Sequence, residues 1–274
     1  MKKVSFTVLM CTYFKDNPYL LSDAIKSVFN NSIKPDYFIL TIDGPIPKLN
    51  KKIINKIRKL YPIKIIINQE NIGLALSLNK ALKFVKTDWI ARADSDDINL
   101  PDRFTKQLKF AKKGFDVIGS NILEKDQNKN HPILTKIMPI TDKEIKKYAI
   151  TRNPINHMTA FIKTSIIKSV GGYPDIYMRE DYGLWAKLIY QKAKFYNIDE
   201  ILVHVNGGKS LYKRRGGLKN AYAELKLQKF LYKYEIKPFY LLILHLLFRT
   251  SLLLLPSKIL EVIYLNKLRK KYKT

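Results

Sequence analysis

The sequence predicts an α/β fold: a mostly parallel sheet with helices on both faces, followed by a helical C-terminal extension. Three observations carry that expectation. Apolar runs of strand length alternate with amphipathic runs of helix length through the first half of the chain, the order of βαβ units. The strand runs are nearly continuous in apolar residues, as strands covered on both faces are. Aspartates then follow the first, second and fourth of them, at Asp16, Asp43 and Asp94/Asp96. The carboxyl edge of such a sheet is where ligands bind. With 274 residues, 46% of them hydrophobic, the chain has room for one sizeable α/β domain and an appendage.

The elements follow in order. Val4–Cys11 is the first strand. Lys2-Lys3 before it imitates a secretory leader, but the apolar run is short, contains Ser5 and Thr7, and meets Thr12-Tyr13-Phe14-Lys15-Asp16 without a small-residue cleavage site. The chain is therefore expected to stay in the cytoplasm. Tyr19–Phe29 sets Leu20, Leu21, Ala24, Ile25 and Val28 at helical spacing. Tyr37–Ile42 is a strand ending in Asp43-Gly44-Pro45, and Lys51–Leu60 is a basic amphipathic helix. Ile63–Ile67 is the third strand, followed by Asn71-Ile72-Gly73 and a helix over Leu74–Val85. Asp88–Ala93, a helix at Pro101–Ala111 and a strand at Phe115–Gly119 complete the regular part. Beyond it come a polar turn at Lys125–Asn130, an edge strand at Ile133–Met138, a short helix at Asp142–Ala149 and a strand at His157–Lys163. A helix then runs to Val170, where Gly171-Gly172 ends it. Asp181–Gln191 is a helix with Leu184, Trp185, Leu188 and Ile189 on one face, and Lys194–Val205 reads as two strands broken near Asp199-Glu200.

From Leu218 the chain reads as continuous helix. Phe239–Leu255 is apolar but short for a membrane span, and Arg249 within it is costly there. After Pro256, Lys258–Lys273 mixes apolar residues with six cations, a basic amphipathic pattern suited to an anionic bilayer surface. A helical pair packed on the domain, or joining two copies, is the alternative.

Composition narrows the partners. Lys and Arg total 50 against 23 acids, a formal charge of +27, which suits nucleic acid, an anionic membrane or phosphorylated small molecules. An evenly spread lysine surface without a partner remains the plain alternative. One cysteine, Cys11, excludes a disulfide framework and reads as a small core residue. The four histidines lack metal-ligand spacing, and nothing supports a structural metal.

Chemistry concentrates in Asp94-Ser95-Asp96-Asp97. Acids crowded at a strand end repel one another and are tolerable when a cation or ligand donors neutralise them. Asp97 or Asn99 could instead cap the next helix, which accounts for one acid and not three. A second acidic pair, Glu180-Asp181, opens the helix holding Trp185.

From Val4 to about Arg215 the chain resembles family 2 glycosyltransferases, the inverting enzymes with a nucleotide-sugar-binding sheet of the GT-A (Rossmann-like) type. The resemblance rests on Met10-Cys11-Thr12-Tyr13, Ser27-Val28, Asp43-Gly44, Asn71-Ile72-Gly73-Leu74 leading to Asn79, Arg92-Ala93-Asp94-Ser95-Asp96-Asp97, and Glu180-Asp181 with Trp185. Within the family it is most similar to the amylovoran-type bacterial transferases of exopolysaccharide and O-antigen assembly. It divides the chain into a catalytic domain at 1–217 and an extension at 218–274.

The resemblance implies roles. Asp94 and Asp96 hold Mg²⁺ or Mn²⁺ against the donor diphosphate, with Asp94 also facing the ribose. Asp43 contacts the nucleotide base, although Ile42 stands where the family commonly has a second acid. Thr12 and Tyr13 line the base pocket, and Asn71, Gly73, Asn79, Arg92 and Ser95 complete the donor side. Asp181 is the general base, with Glu180 orienting it or accepting from the acceptor sugar. Its competing reading is a helix cap with favourable first-turn charge. His157 and Trp185 are expected on the acceptor side, a satisfied structural histidine being the alternative for His157. Arg214, with Lys209, Lys213 and Arg215, lies in a Gly-flanked loop that sets cations on the diphosphate as a lid; a solvated basic loop is the alternative. Arg92 and Arg103 hold the acid cluster by salt bridges.

The expected activity is transfer of a sugar from a nucleotide diphosphate, a UDP-sugar first, to a hydroxyl of a glycan or undecaprenyl-linked acceptor at the inner membrane face. Two other readings compete. A nucleic-acid-binding protein fits the charge, but the most distinctive loop is acidic and no binding module is recognisable, so no nucleic acid is expected. A metal-dependent phosphatase fits the acidic loop alone.

Overall fold

Alternation of apolar side chains decides the two faces of the sheet. In β1 (Phe6–Thr12), Phe6, Val8 and Met10 enter one core and Leu9 the other. In β2 (Tyr37–Ile42), Phe38, Leu40 and Ile42 join the first core and Ile39 the second. The computed structural model describes residues 4–126, 133–207, 217–253 and 270–271. β3 (Ile63–Ile67) and β4 (Trp89–Arg92) complete a parallel set in the order β3-β2-β1-β4. Helices α1 (Pro18–Phe29), α2 (Lys48–Ile57) and α4 (Arg103–Ala111) bury apolar residues in the first core. Helices α3 (Leu74–Leu82), α5 (Asp142–Tyr148), α6 (Thr164–Ser169) and α7 (Glu180–Tyr190) bury theirs in the second. Local signals start the helices: Asn17 caps α1 through Tyr19 N and Leu20 N with Pro18 behind it, and Thr141 and Glu144 form a capping box on α5.

Beyond β4 the sheet is mixed. β8 (Phe161–Lys163) lies antiparallel between β4 and β6 (Val117–Asp126), and β7 (Leu134–Lys136) runs antiparallel to β6. β9 (Phe195–Gly207) is parallel to β6 and pairs with the two-residue β5 (Ile98–Asn99). The two strands expected over Lys194–Val205 are one. The register slips where Ser120 meets Ile198 and Asn121 meets Ile201, so Asp199-Glu200 bulge out, and Asn121 Nδ2 donates to Asp199 Oδ1 at 2.9 Å. The strand expected from His157 starts later. His157–Thr159 is a 3-10 turn closed by the Ala160 N–H on His157 O, and only Phe161–Lys163 is extended. The expected polar turn is strand up to Asp126, and 127–132 lie outside the described residues.

The extension begins packed on the body. Leu227 and Leu231 of α8 (Leu218–Lys233) share an apolar cluster with Tyr182 and Ala186 of α7. A buried polar chain runs alongside. Arg179 Nε donates to Glu224 Oε2 at 3.1 Å, Gln228 Nε2 to Glu224 Oε1 at 2.6 Å, and Lys237 Nζ to Gln228 Oε1 at 2.6 Å. Lys237 Nζ also meets His245 Nδ1, 2.9 Å away in α9 (Phe239–Leu253). The outer face of α9 exposes Phe239, Tyr240, Ile243, Leu244 and Leu247. No described helix is long and apolar enough to cross a membrane. Of the basic helix expected at Lys258–Lys273, 258–269 lie outside the described residues. Lys270–Lys271 is instead a strand, β10, antiparallel to β7: the open edge of β7 offers unpaired backbone groups, which these two residues satisfy.

Candidate active site

The acidic loop rests on two buried arginines. Arg92, at the end of β4, is 2% exposed. Its guanidinium pairs with Asp94 Oδ1 and bonds the Ala93 carbonyl and, at 3.4 Å, Leu9 O. Arg103 makes no ion pair with the acids, contrary to expectation. It donates to Arg92 O at 2.7 Å, to Gln107 Oε1 at 3.1 Å and to Asn99 Oδ1, so it supports the loop through carbonyl and amide oxygens. Ser95 is buried and donates its hydroxyl to Asp16 Oδ2 at 2.7 Å. The same oxygen accepts Thr12 Oγ1 at 3.0 Å and Tyr13 N at 3.3 Å. Asp16 therefore ties the end of β1 to the acidic loop, with Thr12 buried and Tyr13 half-exposed.

The acid cluster divides in two. Asp94 and Asp96 remain half-exposed, whereas Asp97 is buried and accepts Asn206 N on Oδ1 at 3.0 Å. Burial, then the charges of Asp94 and Asp96, push its carboxyl well above the usual range, and Oδ2 has no hydrogen-bond partner. Asp97 thus sits turned inward, away from the two accessible acids. Among the described residues no three Asp, Glu, His or Cys side chains converge as an all-protein metal cage. Asp94 and Asp96 are two accessible carboxylates one residue apart, a pair that could share a hard cation with substrate phosphates and water.

Beside this loop, Asp43 is 3% exposed. Its carboxylate accepts Asn68 Nδ2 at 3.0 Å and the N–H groups of Ile72 and Gly73, both at 2.9 Å. Three of about four lone-pair positions are thus filled. Asn71, exposed, donates to Asp43 O at 3.2 Å. Gly44, at φ +83°, is required here, because a Cβ would stand 2.7 Å from Asn71 N. These bonds hold Asp43-Gly44 and Asn71-Ile72-Gly73 together as one loop pair at the sheet edge. Asn79 does not reach it. Its amide donates to Tyr173 O and accepts from Tyr173 N, both at 2.8 Å, so it clamps the Gly171-Gly172 turn rather than a donor.

The second acidic pair opens α7. Asp181 is half-buried: Oδ1 accepts Tyr182 N at 2.7 Å and Oδ2 accepts Asn153 Nδ2 at 2.6 Å. Burial raises its carboxyl, while Asn153, Tyr182 N, Lys136 and Arg179 pull it down. Glu180 is buried, and burial with the Asp181 charge pushes it up to about 8. Arg92 and Asp94 also act on Glu180, so the two acidic sets share one electrostatic field. Tyr173, which the sequence reading overlooked, lies in that field. Its buried hydroxyl feels Arg92, Glu180, Asp181 and Asp94.

Both residues expected on the acceptor side are interior. His157 is buried with Nε2 3.2 Å from the Tyr173 hydroxyl, and burial, then Arg92, holds its pKa well below the usual value, so the ring is neutral. Trp185 is 0% exposed and packs edge-on to His157 and Phe195. Full enclosure of Trp185 leaves no surface for a sugar, so its reading is corrected to a core role, and His157, 8% exposed, is held in the interior by Tyr173 and Trp185. Trp185→Ala is expected to cost about 3–5 kcal/mol, read as a lowered urea midpoint. Arg214 and its basic loop lie outside the described residues.

Residues 7–171 match the family described as glycosyl transferase family 2. Over 267 residues, 97% of both chains, the sequence is 35% identical to an Escherichia coli UDP-Gal:alpha-D-GlcNAc-diphosphoundecaprenol beta-1,3-galactosyltransferase. It is 28% identical to the Erwinia amylovora amylovoran biosynthesis glycosyltransferase AmsE, across 94% of this chain and 97% of that one. The fold matches S. aureus TarS 1-349 in complex with UDP-GlcNAc (TM-score 0.60, 16% identity, 83% of this chain, 72% of that). It also matches the Pyrobaculum calidifontis mannosyltransferase PcManGT in complex with GDP-Man and Mn²⁺ (TM-score 0.61, 13% identity, 97% and 82%). These matches displace the nucleic-acid-binding and phosphatase readings. The α/β sheet, the acids at its carboxyl edge and the matched sequence lead to one conclusion: the chain belongs to glycosyl transferase family 2 and is a glycosyltransferase.

Proposed function

We propose that the chain transfers a sugar from a UDP-sugar, with inversion, to a hydroxyl of a diphosphoundecaprenol-linked glycan during surface-polysaccharide assembly. The observation that carries this reading is the full-length likeness to the E. coli galactosyltransferase, whose name states such a donor and acceptor. Asp94 and Asp96 are the residues that would hold Mg²⁺ or Mn²⁺, and when bound the cation neutralises charge on the departing diphosphate. Arg92 keeps Asp94 oriented from below. Asp181 accepts the proton of the acceptor hydroxyl as its oxygen forms a bond to the anomeric carbon. The bond from that carbon to the diphosphate oxygen breaks, and the diphosphate leaves with the electron pair. Glu180, held mostly protonated at neutral pH, adds little repulsion to the incoming diphosphate. Thr12, Tyr13, Asp43, Asn71, Gly73 and Ser95 form the donor side, either by contact or by holding the loops.

The reading is tested by a thermal-shift screen of UDP- and GDP-sugars with and without Mn²⁺. A UDP-sugar, UDP-galactose first, is expected to raise the melting temperature only with Mn²⁺, because a ligand selective for the native form stabilises it by mass action. Equal shifts without the cation, or none with any UDP-sugar, would sink it.

The same reading sets the enzyme on the inner face of an anionic membrane. The exposed apolar stripe of α9, on a chain of net charge +27, has the chemistry of an interfacial helix. Leu244→Glu with Leu247→Glu is expected to weaken cosedimentation with phosphatidylglycerol vesicles while donor binding persists.

A further inference from the structure

We propose that Asn153 is a positioning residue for Asp181, its side-chain amide aiming the carboxylate at the acceptor hydroxyl from a loop pinned to the sheet. The proposal rests on the reading of Asp181 as the base. Asn153 Nδ2 donates to Asp181 Oδ2 at 2.6 Å, while Asn153 Oδ1 accepts Ile155 N at 3.5 Å. The amide therefore has one workable orientation, since its oxygen turned toward an ionised carboxylate would be repelled. With Tyr182 N on Oδ1, each oxygen of Asp181 has one donor, and rotation about its terminal torsion is blocked.

The loop beneath Asn153 is rigid for identifiable reasons. Pro154 restricts the residue before it to extended backbone. Its carbonyl accepts Asn197 Nδ2, from β9, at 3.1 Å. Asn156 Nδ2 reaches Ser120 O in β6 at 2.9 Å. On the other side, Tyr182 Oη of α7 donates to Ala149 O at 2.5 Å. Gly119 makes room for this arrangement, because a Cβ there would lie 2.2 Å from Asn197 Oδ1. Sheet, loop and base helix are thus joined by side-chain hydrogen bonds on either side of the Asn153–Asp181 contact.

A neutral donor suits the task. Lys136 of β7, Arg179 and Glu180 already act on Asp181 by charge, and Tyr173 lies in the same field. A further cation in contact would lower the basicity that proton removal needs, whereas an amide fixes direction at a smaller loss.

The test uses the full chain with UDP-galactose and GlcNAc-diphosphoundecaprenol, measuring kcat and donor KM against pH. Asn153→Ala is expected to lower kcat on the order of 10²-fold with donor KM unchanged. The acidic limb of its kcat profile should move to higher pH, because a donor to the charged form is gone. Asn153→Asp, which sets a second carboxylate against Asp181, should move that limb further. Asn153→Ser, which keeps a donor, should recover part of the rate, and it carries the test if the alanine variant does not fold. A folded Asn153→Ala or Asn153→Ser enzyme with a wild-type kcat profile, while Asp181→Asn is inactive, overturns the positioning role and leaves the base standing. An active Asp181→Asn overturns both.

Discussion

Asp181→Asn should lower kcat by about 10³-fold while leaving donor binding intact. The substitution keeps the shape of the side chain and an oxygen for Asn153 Nδ2 and gives up only the bond from Tyr182 N, so the fold and the loop should survive. What it removes is the only function the proposal gives this carboxylate, which is proton removal from the acceptor. The pH dependence of the wild type follows from the same group. Burial raises the Asp181 carboxyl, and a base works only when ionised. Activity should therefore rise with pH along a limb lying above the ordinary carboxylate range, and this limb should be missing from the residual activity of Asp181→Asn. A variant retaining wild-type kcat would mean that the proton goes elsewhere.

The second large effect is expected at Asp96. Asp96→Ala should abolish the Mn²⁺-dependent rise in melting temperature with UDP-galactose and reduce kcat/KM by about 10²–10³-fold. Those factors correspond to several kcal/mol of lost charge stabilisation. The unliganded variant should still melt as one cooperative, folded protein. The charge of Asp96 raises the buried Asp97 carboxyl, and its removal relieves that effect. Loss of the cation-dependent shift from a protein that still folds separates a ligand-binding carboxylate from a purely structural one. If the cation-dependent shift persisted in Asp96→Ala, the diphosphate would have to be held by other groups.

Much of this architecture is legible in the sequence because it depends on local patterns. Tyr37–Ile42 and Ile63–Ile67 have the strand limits their apolar runs predict. Asp94, Asp96 and Asp181 stand out because acids at the ends of apolar elements have few structural explanations. What stays hidden depends on distant partners. Asn79 looks like a donor-site residue until it is seen holding the backbone of Tyr173, which is 94 positions away. Trp185 sits on an apolar helix face, but nothing local tells whether a tryptophan there meets a sugar or, as here, Phe195. Asp97 shares its neighbours' chemistry and differs only in direction, turned inward by the Asn206 N–H of β9. The basic pattern near the C-terminus reads as a helix from periodicity, yet Lys270–Lys271 completes a sheet edge whose partner, β7, is far off in sequence. Asn153 shows only as an Asn-Pro turn signal, and its bond to Asp181 spans 28 positions.

The most direct measurement is a crystal structure of the chain with a UDP-sugar and Mn²⁺. It should show the ion between the donor diphosphate and the carboxylates of Asp94 and Asp96, with Asp181 facing the anomeric carbon on the side opposite the diphosphate. A diphosphate bound away from those two aspartates, or an anomeric carbon out of reach of Asp181, would contradict the account.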